Sequence, residues 1–328
     1  YAIPYAAAVL VELPSGKVRV LAGHSTENPK LTNGELTLRP WAPAASLIKV
    51  VTAAALLKSG RVKPEATVCY HGGRKGLNPS HFVDDPAKDT QCEDLFAAMG
   101  NSTNAVFGKL AHRHLTRESY LEMAQRFGFN STIPFDFPIQ KSQIRISPTA
   151  KFALGYTSAG LGNATLSPIH AAWIMALIAG NGRATPLRVI ASVTSPAGEK
   201  LSTSQRPAPK GAGKDQVAEQ LIPATDAVQI TAMLRRTVAE GTAREAFFSK
   251  NDTELLSFET VGKTGTLSRN KPQYLQYTWF AGFAPRQNPA VAFAVLVVNP
   301  LKWRTKATFM AQRLLLHYFK RKKLNQGK

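Results

Sequence analysis

Hydrophobic and polar residues are distributed along the chain in a pattern that predicts strands near both ends and helices between them. Apolar runs bounded by Gly, Pro and Asn favour strands at 7–13, 17–22, 260–267, 277–284 and 290–298. Helical spacing is found at 46–60, 93–115, 168–179, 224–239 and 305–324, with a break at 100–104. The segment 192–215 is rich in Pro, Gly and polar residues and is expected to be a mobile loop.

The order of these elements predicts an α/β (α+β) fold in a single domain that spans residues 1–328. We expect one antiparallel five-stranded sheet, built from both chain ends and flanked by helices, with an all-helical lobe inserted between its halves. The sheet part should include about residues 1–60 and 185–328, and the helical part about residues 61–184.

The helix predicted at 46–60 is apolar on every face and rich in Ala and Leu, so it should be buried rather than amphipathic. Pro43 lies shortly before it and Gly60 stands at its end, as expected for a helix that starts near Ser46. Lys49 follows Ser46 by one turn, so the amine can reach the hydroxyl group. Burial lowers the pKa of a lysine, and the neutral amine can then act as a base.

Ser-x-x-Lys also occurs by chance, and a serine at a helix start is commonly only a cap, so this pair needs partners. Ser102 and Asn104 lie where the helical pattern of 93–115 breaks, and both side chains can point into a cleft. Lys263, Thr264, Gly265 and Thr266 fall on the strand predicted at 260–267. The glycine permits close approach of a ligand to this strand. Taken singly, these two clusters also fit an ordinary loop and an ordinary strand with a polar face.

Taken together, Ser-x-x-Lys, Ser-x-Asn and Lys-Thr-Gly occur here in the order found in the active-site serine penicillin-recognising enzymes. The sequence resembles the transpeptidase domain of penicillin-binding proteins over nearly its whole length, including the turn Gly241-Thr242-Ala243 before the last motif. It departs from many members at Ala45, where they carry a glycine immediately before the serine.

The resemblance implies a serine-type peptidoglycan D,D-transpeptidase whose substrate is a D-Ala-D-Ala stem peptide and which β-lactams acylate. Ser46 would be the nucleophile and Lys49 the base. Ser102 would relay a proton to the leaving amine with help from Lys263, and Asn104 would bind the substrate backbone.

The resemblance also assigns the binding of the substrate carboxylate and of the oxyanion. Thr264, Gly265 and Thr266 would form the carboxylate site on the strand. The backbone N–H groups of Ser46 and Thr266 would form the oxyanion hole, at about 3 kcal/mol per donor. No metal or cofactor is implied.

Other functions share these motifs: a D,D-carboxypeptidase, a serine β-lactamase, a non-enzymatic β-lactam sensor or a wall-binding module. In the β-lactamases most similar in motif order, a glutamate between the second and third motifs activates the hydrolytic water. Residues 130–167 contain no glutamate and one aspartate, Asp136, which is expected to be a turn or capping group. We therefore expect a persistent acyl-enzyme.

The two cysteines, Cys69 and Cys92, lie in a segment rich in Gly, Pro, His and Asp. A disulfide would close a long loop, as is usual in an oxidising compartment. A zinc site that also uses His71 and His81 is an alternative, although the spacing fits no compact zinc motif. Two free thiols are the third possibility.

Net charge and the distribution of apolar residues restrict the partners and the location that the sequence predicts. The chain has 41 Lys and Arg against 21 Asp and Glu, a formal net charge of +20, which attracts anionic cell-wall or envelope polymers. No nucleic-acid motif accompanies this charge, and no apolar stretch of about 20 residues predicts a membrane segment. The resemblance implies a periplasmic or other extracytoplasmic location.

Overall fold

The computed structural model describes residues 2–74, 76–198, 200–201, 219–270 and 273–326. Its strands are β1 (Tyr5–Glu12), β2 (Val18–Ser25), β3 (Ala42–Pro43), β4 (Val68–Tyr70), β5 (Gln91–Glu93), β6 (Gln143–Arg145), β7 (Asn163–Leu166), β8 (Val193–Thr194), β9 (Lys200–Leu201), β10 (Val261–Arg269), β11 (Leu275–Ala284) and β12 (Val291–Asn299). Its helices are α1 (Asn33–Leu38), α2 (Lys49–Ser59), α3 (Leu95–Asn101), α4 (Asn104–His114), α5 (Arg117–Arg126), α6 (Ala153–Ala159), α7 (Pro168–Ala179), α8 (Ala224–Ala239), α9 (Arg244–Phe247) and α10 (Ala307–Gln326). Short 3₁₀ turns lie at Ala45–Ile48 and Pro79–Phe82.

Within the described ranges, five strands form an antiparallel sheet in the order β10-β11-β12-β1-β2, which confirms the predicted fold class. Every residue of the central strand β12 is buried, because helices cover both faces of the sheet. Helix α7 packs on one face, and α10 packs on the other. The edge strand β10 carries the Lys-Thr-Gly motif and is therefore open to a ligand along one side.

Helix α2 is buried almost throughout, as its uniformly apolar sequence predicts, because it packs against α4, α5, α6 and α8. Helical structure begins close to Ser46, as predicted, but its first turn is not α-helical. Residues Ala45–Ile48 form a 3₁₀ turn, and the α-helix proper begins at Lys49. Gly60 ends the helix with a φ of 64°, the left-handed conformation that glycine adopts without strain.

Some elements were not predicted from the sequence. Helix α1 lies between the strand predicted at 17–22 and the helix predicted at 46–60, where no regular element was predicted, and it begins with a capping box between Thr32 and Glu35. The small sheet β3-β7-β6 also went unrecognised, because strands of two to four residues carry little periodicity. In the predicted loop 192–215, β8 and β9 form a short hairpin, and most of the segment, including 206–213, lies outside the described residues.

The predicted boundary between a sheet part and a helical part stays a prediction. Helix α2, assigned to the sheet part, packs among helices of the other part, and α7, assigned to the helical part, packs on the sheet. One hydrophobic core cluster contains residues from both. No helix in the described ranges combines the length and hydropathy needed to cross a bilayer.

Cys69 and Cys92 face each other across the antiparallel hairpin of β4 and β5 and form a disulfide with an S–S distance of 2.12 Å. Since both sulfur atoms are bonded to each other, neither can bind zinc as a thiolate. Among the described residues, no three His, Cys, Asp or Glu side chains are arranged to hold a metal ion.

Removal of this disulfide is expected to lower the free energy of unfolding by about 3 kcal/mol, because it closes a loop over a sequence separation of 23 residues. The test is urea unfolding of the double variant Cys69→Ala/Cys92→Ala against the oxidised wild type. A reducing agent should destabilise the wild type and leave the variant unchanged. Equal stability of the oxidised wild type and the variant would contradict the prediction.

Candidate active site

The chain enters the candidate site through a short segment that is held from two sides. Pro43 pairs with Thr165 between β3 and β7, and the carbonyl of Pro43 accepts a 2.8 Å hydrogen bond from the indole N–H of Trp279 on β11. The backbone N–H of Ala44 donates to Ala164, also on β7. These contacts join the start of the Ala45–Ile48 turn, here called the nucleophile turn because it carries the candidate nucleophile Ser46, to the main sheet and to the helical lobe.

Ala45, the residue before the candidate nucleophile, has a φ of 48°, in the left-handed region that favours glycine. Glycine adopts this conformation without strain, which explains why many members of the family that the sequence resembles carry a glycine at this position. An alanine there costs roughly 1 to 2 kcal/mol of backbone strain. The turn is tightly enclosed, since a Cβ atom on Gly160 would lie 2.5 Å from the Ala45 carbonyl oxygen.

The amine of Lys49 lies at the centre of a group of oxygen atoms. Its Nζ is 2.9 Å from Ser46 Oγ, 2.6 Å from Asn104 Oδ1, 3.0 Å from the Ser102 carbonyl oxygen and 3.3 Å from Ser102 Oγ. The side chain is fully buried, and the Phe107 ring lies 5.7 Å away. The lysine thus contacts all three polar residues that the first two motifs contribute.

Burial of Lys49 lowers its pKa well below the ordinary range, and the nearby charge of Lys263 lowers that pKa further. A neutral amine can accept the proton of the Ser46 hydroxyl group at their 2.9 Å separation. Burial also lowers the pKa of Lys263, to about 7. The described hydrogen bond of the Lys263 amine goes to the Thr264 carbonyl oxygen at 3.2 Å.

Ser102 lies at the carboxyl end of α3 and has a φ of 59°, a left-handed conformation that is uncommon for serine. This conformation turns the chain from α3 into α4, so that Ser102 and Asn104 both reach Lys49. Asn104 also donates a 3.3 Å hydrogen bond to the Arg74 carbonyl oxygen. The predicted role of Asn104 in binding a substrate backbone stays a prediction.

Strand β10 passes directly beside the nucleophile turn. A Cβ atom on Gly265 would lie 3.3 Å from the Ala45 Cβ atom and 3.4 Å from the Ser46 nitrogen, so a side chain there would crowd the turn. Lys263 and Gly265 are buried, Thr264 is half-buried and Thr266 is exposed. The hydroxyl groups of Thr264 and Thr266 are therefore at least partly accessible on this strand, and a carboxylate could accept hydrogen bonds from them.

Thr242 belongs to this site although the sequence alone assigned it no role. Its hydroxyl group lies 2.6 Å from that of Thr264, and its backbone N–H donates to the Gly100 carbonyl oxygen on α3. It therefore connects the strand of the third motif to the helix that precedes the second. In the sequence, only the resemblance pointed to this residue, because the turn Gly241-Thr242-Ala243 is similar to the one that precedes the Lys-Thr-Gly motif in the family.

The arrangement can carry out acyl transfer. A hydroxyl group at a helix start, a buried amine within hydrogen-bond reach and a second hydroxyl group near that amine are the parts needed to attack a carbonyl and protonate a leaving group. The structure places Ser46, Ser102 and Asn104 around the Lys49 amine, with Lys263 nearby. The catalytic and binding roles assigned to these residues stay predictions.

Comparison with known proteins provides an independent finding. A family model described as the penicillin binding protein transpeptidase domain matches residues 6–314. The chain is 27% identical over 307 residues to a peptidoglycan D,D-transpeptidase, PbpA, from Mycobacterium tuberculosis. That match covers 88% of this chain and 59% of the relative, so the chain spans less than two thirds of the relative's length.

Solved structures with similar folds cover almost the whole chain. One is the D,D-transpeptidase domain of a peptidoglycan glycosyltransferase from Eggerthella lenta, with a TM-score of 0.75, 21% identity and coverage of 98% of this chain and 79% of that chain. Another is penicillin-binding protein A from M. tuberculosis in an imipenem acyl-enzyme complex, with a TM-score of 0.71 and 23% identity. This second match covers 95% of the present chain and 73% of that one.

Proposed function

Because the chain belongs to the penicillin-binding protein transpeptidase domain family, we propose that it is a peptidoglycan D,D-transpeptidase that forms an acyl-enzyme at Ser46. The observation that carries this proposal is the 2.9 Å separation of the Ser46 hydroxyl group and the buried Lys49 amine. The name of the M. tuberculosis relative supports the same reaction. The proposed substrate is a stem peptide that ends in two D-alanines.

In the proposed acylation, Ser46 Oγ attacks the carbonyl carbon of the penultimate D-alanine and its proton passes to Lys49 Nζ. The backbone N–H groups of Ser46 and Thr266 donate hydrogen bonds to the carbonyl oxygen and stabilise the negative charge that develops on it. When the tetrahedral intermediate collapses, the bond to the terminal D-alanine breaks. The leaving amine takes a proton from Ser102 Oγ, which recovers one from Lys49 across 3.3 Å.

The second half of the proposed reaction transfers the acyl group. An amine from a neighbouring stem peptide attacks the Ser46 ester, forms the new amide bond and releases the serine, while Lys49 again takes and returns a proton. Before acylation, Thr264 and Thr266 would hold the terminal carboxylate of the donor, and Thr242, whose hydroxyl group lies 2.6 Å from that of Thr264, would help to position Thr264. The charged form of Lys263 would be favoured when that carboxylate is bound.

A β-lactam would acylate the same serine, because opening of its ring is chemically the same attack on an amide carbonyl. The imipenem acyl-enzyme of the M. tuberculosis protein supports this part of the proposal. Rapid hydrolysis of the adduct would need a base to activate water. Asp136 does not suit that role, since its Oδ2 accepts hydrogen bonds from the backbone N–H groups of Val189 and Ile190, both at 2.8 Å.

We therefore expect the penicilloyl adduct to persist for many minutes, and penicillin to inhibit the protein rather than be destroyed by it. The measurement is mass spectrometry of the intact protein at intervals after a stoichiometric dose of penicillin. Hydrolysis of a chromogenic cephalosporin with a kcat on the order of ten per second, a value typical of enzymes, would favour a β-lactamase instead. A D,D-carboxypeptidase would be distinguished by release of D-alanine from a stem peptide with water as the only acceptor.

The proposed location is outside the cytoplasm, where the family acts on the cell wall, and the proposed partners include anionic wall or envelope polymers. The formal net charge of +20 supports such binding. Because surface charges are screened over about 8 Å at physiological ionic strength, this attraction should weaken as salt increases.

A further inference from the structure

The carboxylate of Glu93 contacts both residues that flank Ser102. Oε1 of Glu93 accepts a 2.9 Å hydrogen bond from the Asn101 side-chain amide, and Oε2 accepts a 2.6 Å hydrogen bond from the Thr103 hydroxyl group. Thr103 is buried and Glu93 is partly buried, so water competes weakly for the Thr103 bond, whereas the Asn101 bond is exposed. One side chain thus holds the turn before and after the serine.

The turn needs such support because of its backbone conformation. Ser102 has a φ of 59°, and its neighbours could relax toward ordinary helical or extended geometry if they were not held. A small rotation there would move Ser102 Oγ away from the Lys49 amine, from which it now lies 3.3 Å. It would also disturb the 3.0 Å contact between that amine and the Ser102 carbonyl oxygen.

Glu93 is in turn held by the hairpin of β4 and β5, which is fixed at several points. The Cys69–Cys92 disulfide lies one residue before Glu93, and Val68 pairs with Glu93 across the hairpin. The fully buried Lys109 of α4 donates a 2.9 Å hydrogen bond to the Cys69 carbonyl oxygen. The hairpin is therefore attached both to the Ser102 turn and to the helix that begins at Asn104.

A second contact of Lys109 strengthens this attachment. Its amine lies 2.8 Å from Asp89 Oδ2, and Asp89 also pairs with His71 next to the hairpin. Burial raises the pKa of Asp89, but the bonds that this carboxylate makes to Lys109, His71 and the Asp85 backbone N–H outweigh burial and lower the pKa to about 2. The carboxylate thus stays charged at neutral pH and keeps the hairpin against α4.

From these contacts we infer that Glu93 is a positioning residue for Ser102, with the disulfide-closed hairpin as its support. The inference rests on the proposed function, in which Ser102 relays the proton to the leaving amine. Glu93 itself bonds to the neighbours of Ser102 and not to the reacting groups. Its loss should therefore slow the chemical step of acylation without changing the base or the affinity for penicillin.

The test uses the whole chain and separates the acylation rate constant from the dissociation constant of the non-covalent penicillin complex. Each variant is first titrated with fluorescent penicillin, so that rates refer to active molecules only. In Glu93→Ala we expect the rate constant to fall about 10- to 100-fold, as for a misplaced catalytic group, with the dissociation constant unchanged. Glu93→Gln can accept from only one of the two donors, so a smaller fall is expected.

Two controls distinguish positioning from a general loss of structure. Glu65→Ala removes an exposed glutamate that lies just before β4, and this variant should be acylated like the wild type. Asn101→Ala/Thr103→Val removes both donors, and in that background Glu93→Ala should have little further effect, because coupled residues are not additive. The pH dependence of acylation should keep its position in every variant, since Lys49 is unchanged.

The outcomes separate this inference from the proposed function. Wild-type acylation rates per active molecule in Glu93→Ala would overturn the positioning role while leaving the function intact. An additive effect of Glu93→Ala in the double-variant background would overturn it as well. Failure of the wild-type protein to bind penicillin covalently would instead remove the proposed function and this inference with it.

Discussion

Ser46→Ala is expected to abolish covalent attachment of penicillin altogether. Within the described part of the chain, Ser46 is the hydroxyl group that combines a helical start with contact to the buried Lys49 amine. Without it no ester can form, whatever the remaining groups contribute. The measurement is the intact mass after incubation with penicillin, followed by identification of the labelled peptide in the wild type.

The fold should survive this substitution, because the Lys49 amine keeps its contacts with Asn104 Oδ1 and the Ser102 carbonyl oxygen. Ser59→Ala, at the carboxyl end of helix α2 and away from Lys49, is a matched control and should label fully. A penicillin adduct of full stoichiometry on Ser46→Ala would show that another residue is the nucleophile.

Lys49→Ala is expected to slow acylation by about 100- to 10,000-fold, the range that general base catalysis contributes. In the proposed mechanism the nucleophile and the oxyanion site remain, but the group that removes the serine proton is lost. Lys49→Arg provides a stringent comparison, since a guanidinium group offers donors but cannot lose its proton at accessible pH. We expect it to be impaired as severely as the alanine variant.

The pH profile of acylation gives the sign of this effect. In the proposed mechanism Lys49 acts only when neutral, so the wild-type rate should rise with pH as the amine loses its proton and then level off. Because burial holds the pKa of Lys49 well below its ordinary range, this plateau should be reached at correspondingly low pH. Both Lys49 variants should lack that rising limb.

The control for these measurements is Lys58→Ala, which removes an exposed lysine of the same helix that pairs with Glu122. It should acylate at the wild-type rate. Acylation of Lys49→Ala at the same rate as Lys58→Ala would assign the base to another group.

The sheet assembled from both chain ends illustrates what local sequence can predict. Apolar strands separated by Gly, Pro and Asn turns are visible in β1, β2, β10, β11 and β12, because strand periodicity is a local property. The same holds for α2, whose apolar residues on all faces require burial. The three motifs were likewise recognisable, since each is defined by residue types within four positions.

Contacts between distant segments were not predictable in this way. The hydroxyl contact of Thr242 with Thr264 and the bonds from Glu93 to Asn101 and Thr103 join different elements. No periodicity marks a single polar residue as the partner of another. Glu93 in the sequence was only a glutamate at the start of a helical pattern.

The sequence by itself determined the fold class, the buried helix α2 and the identity of the residues in the three motifs. Hydrophobic periodicity and residue order decide these features locally. Only the tertiary structure decided the left-handed conformations of Ala45 and Ser102 and the closeness of Lys263, whose charge adds to burial in lowering the pKa of Lys49. The physical reason is that a strained turn persists, and the pKa of a lysine falls, only where surrounding elements enclose them and exclude water.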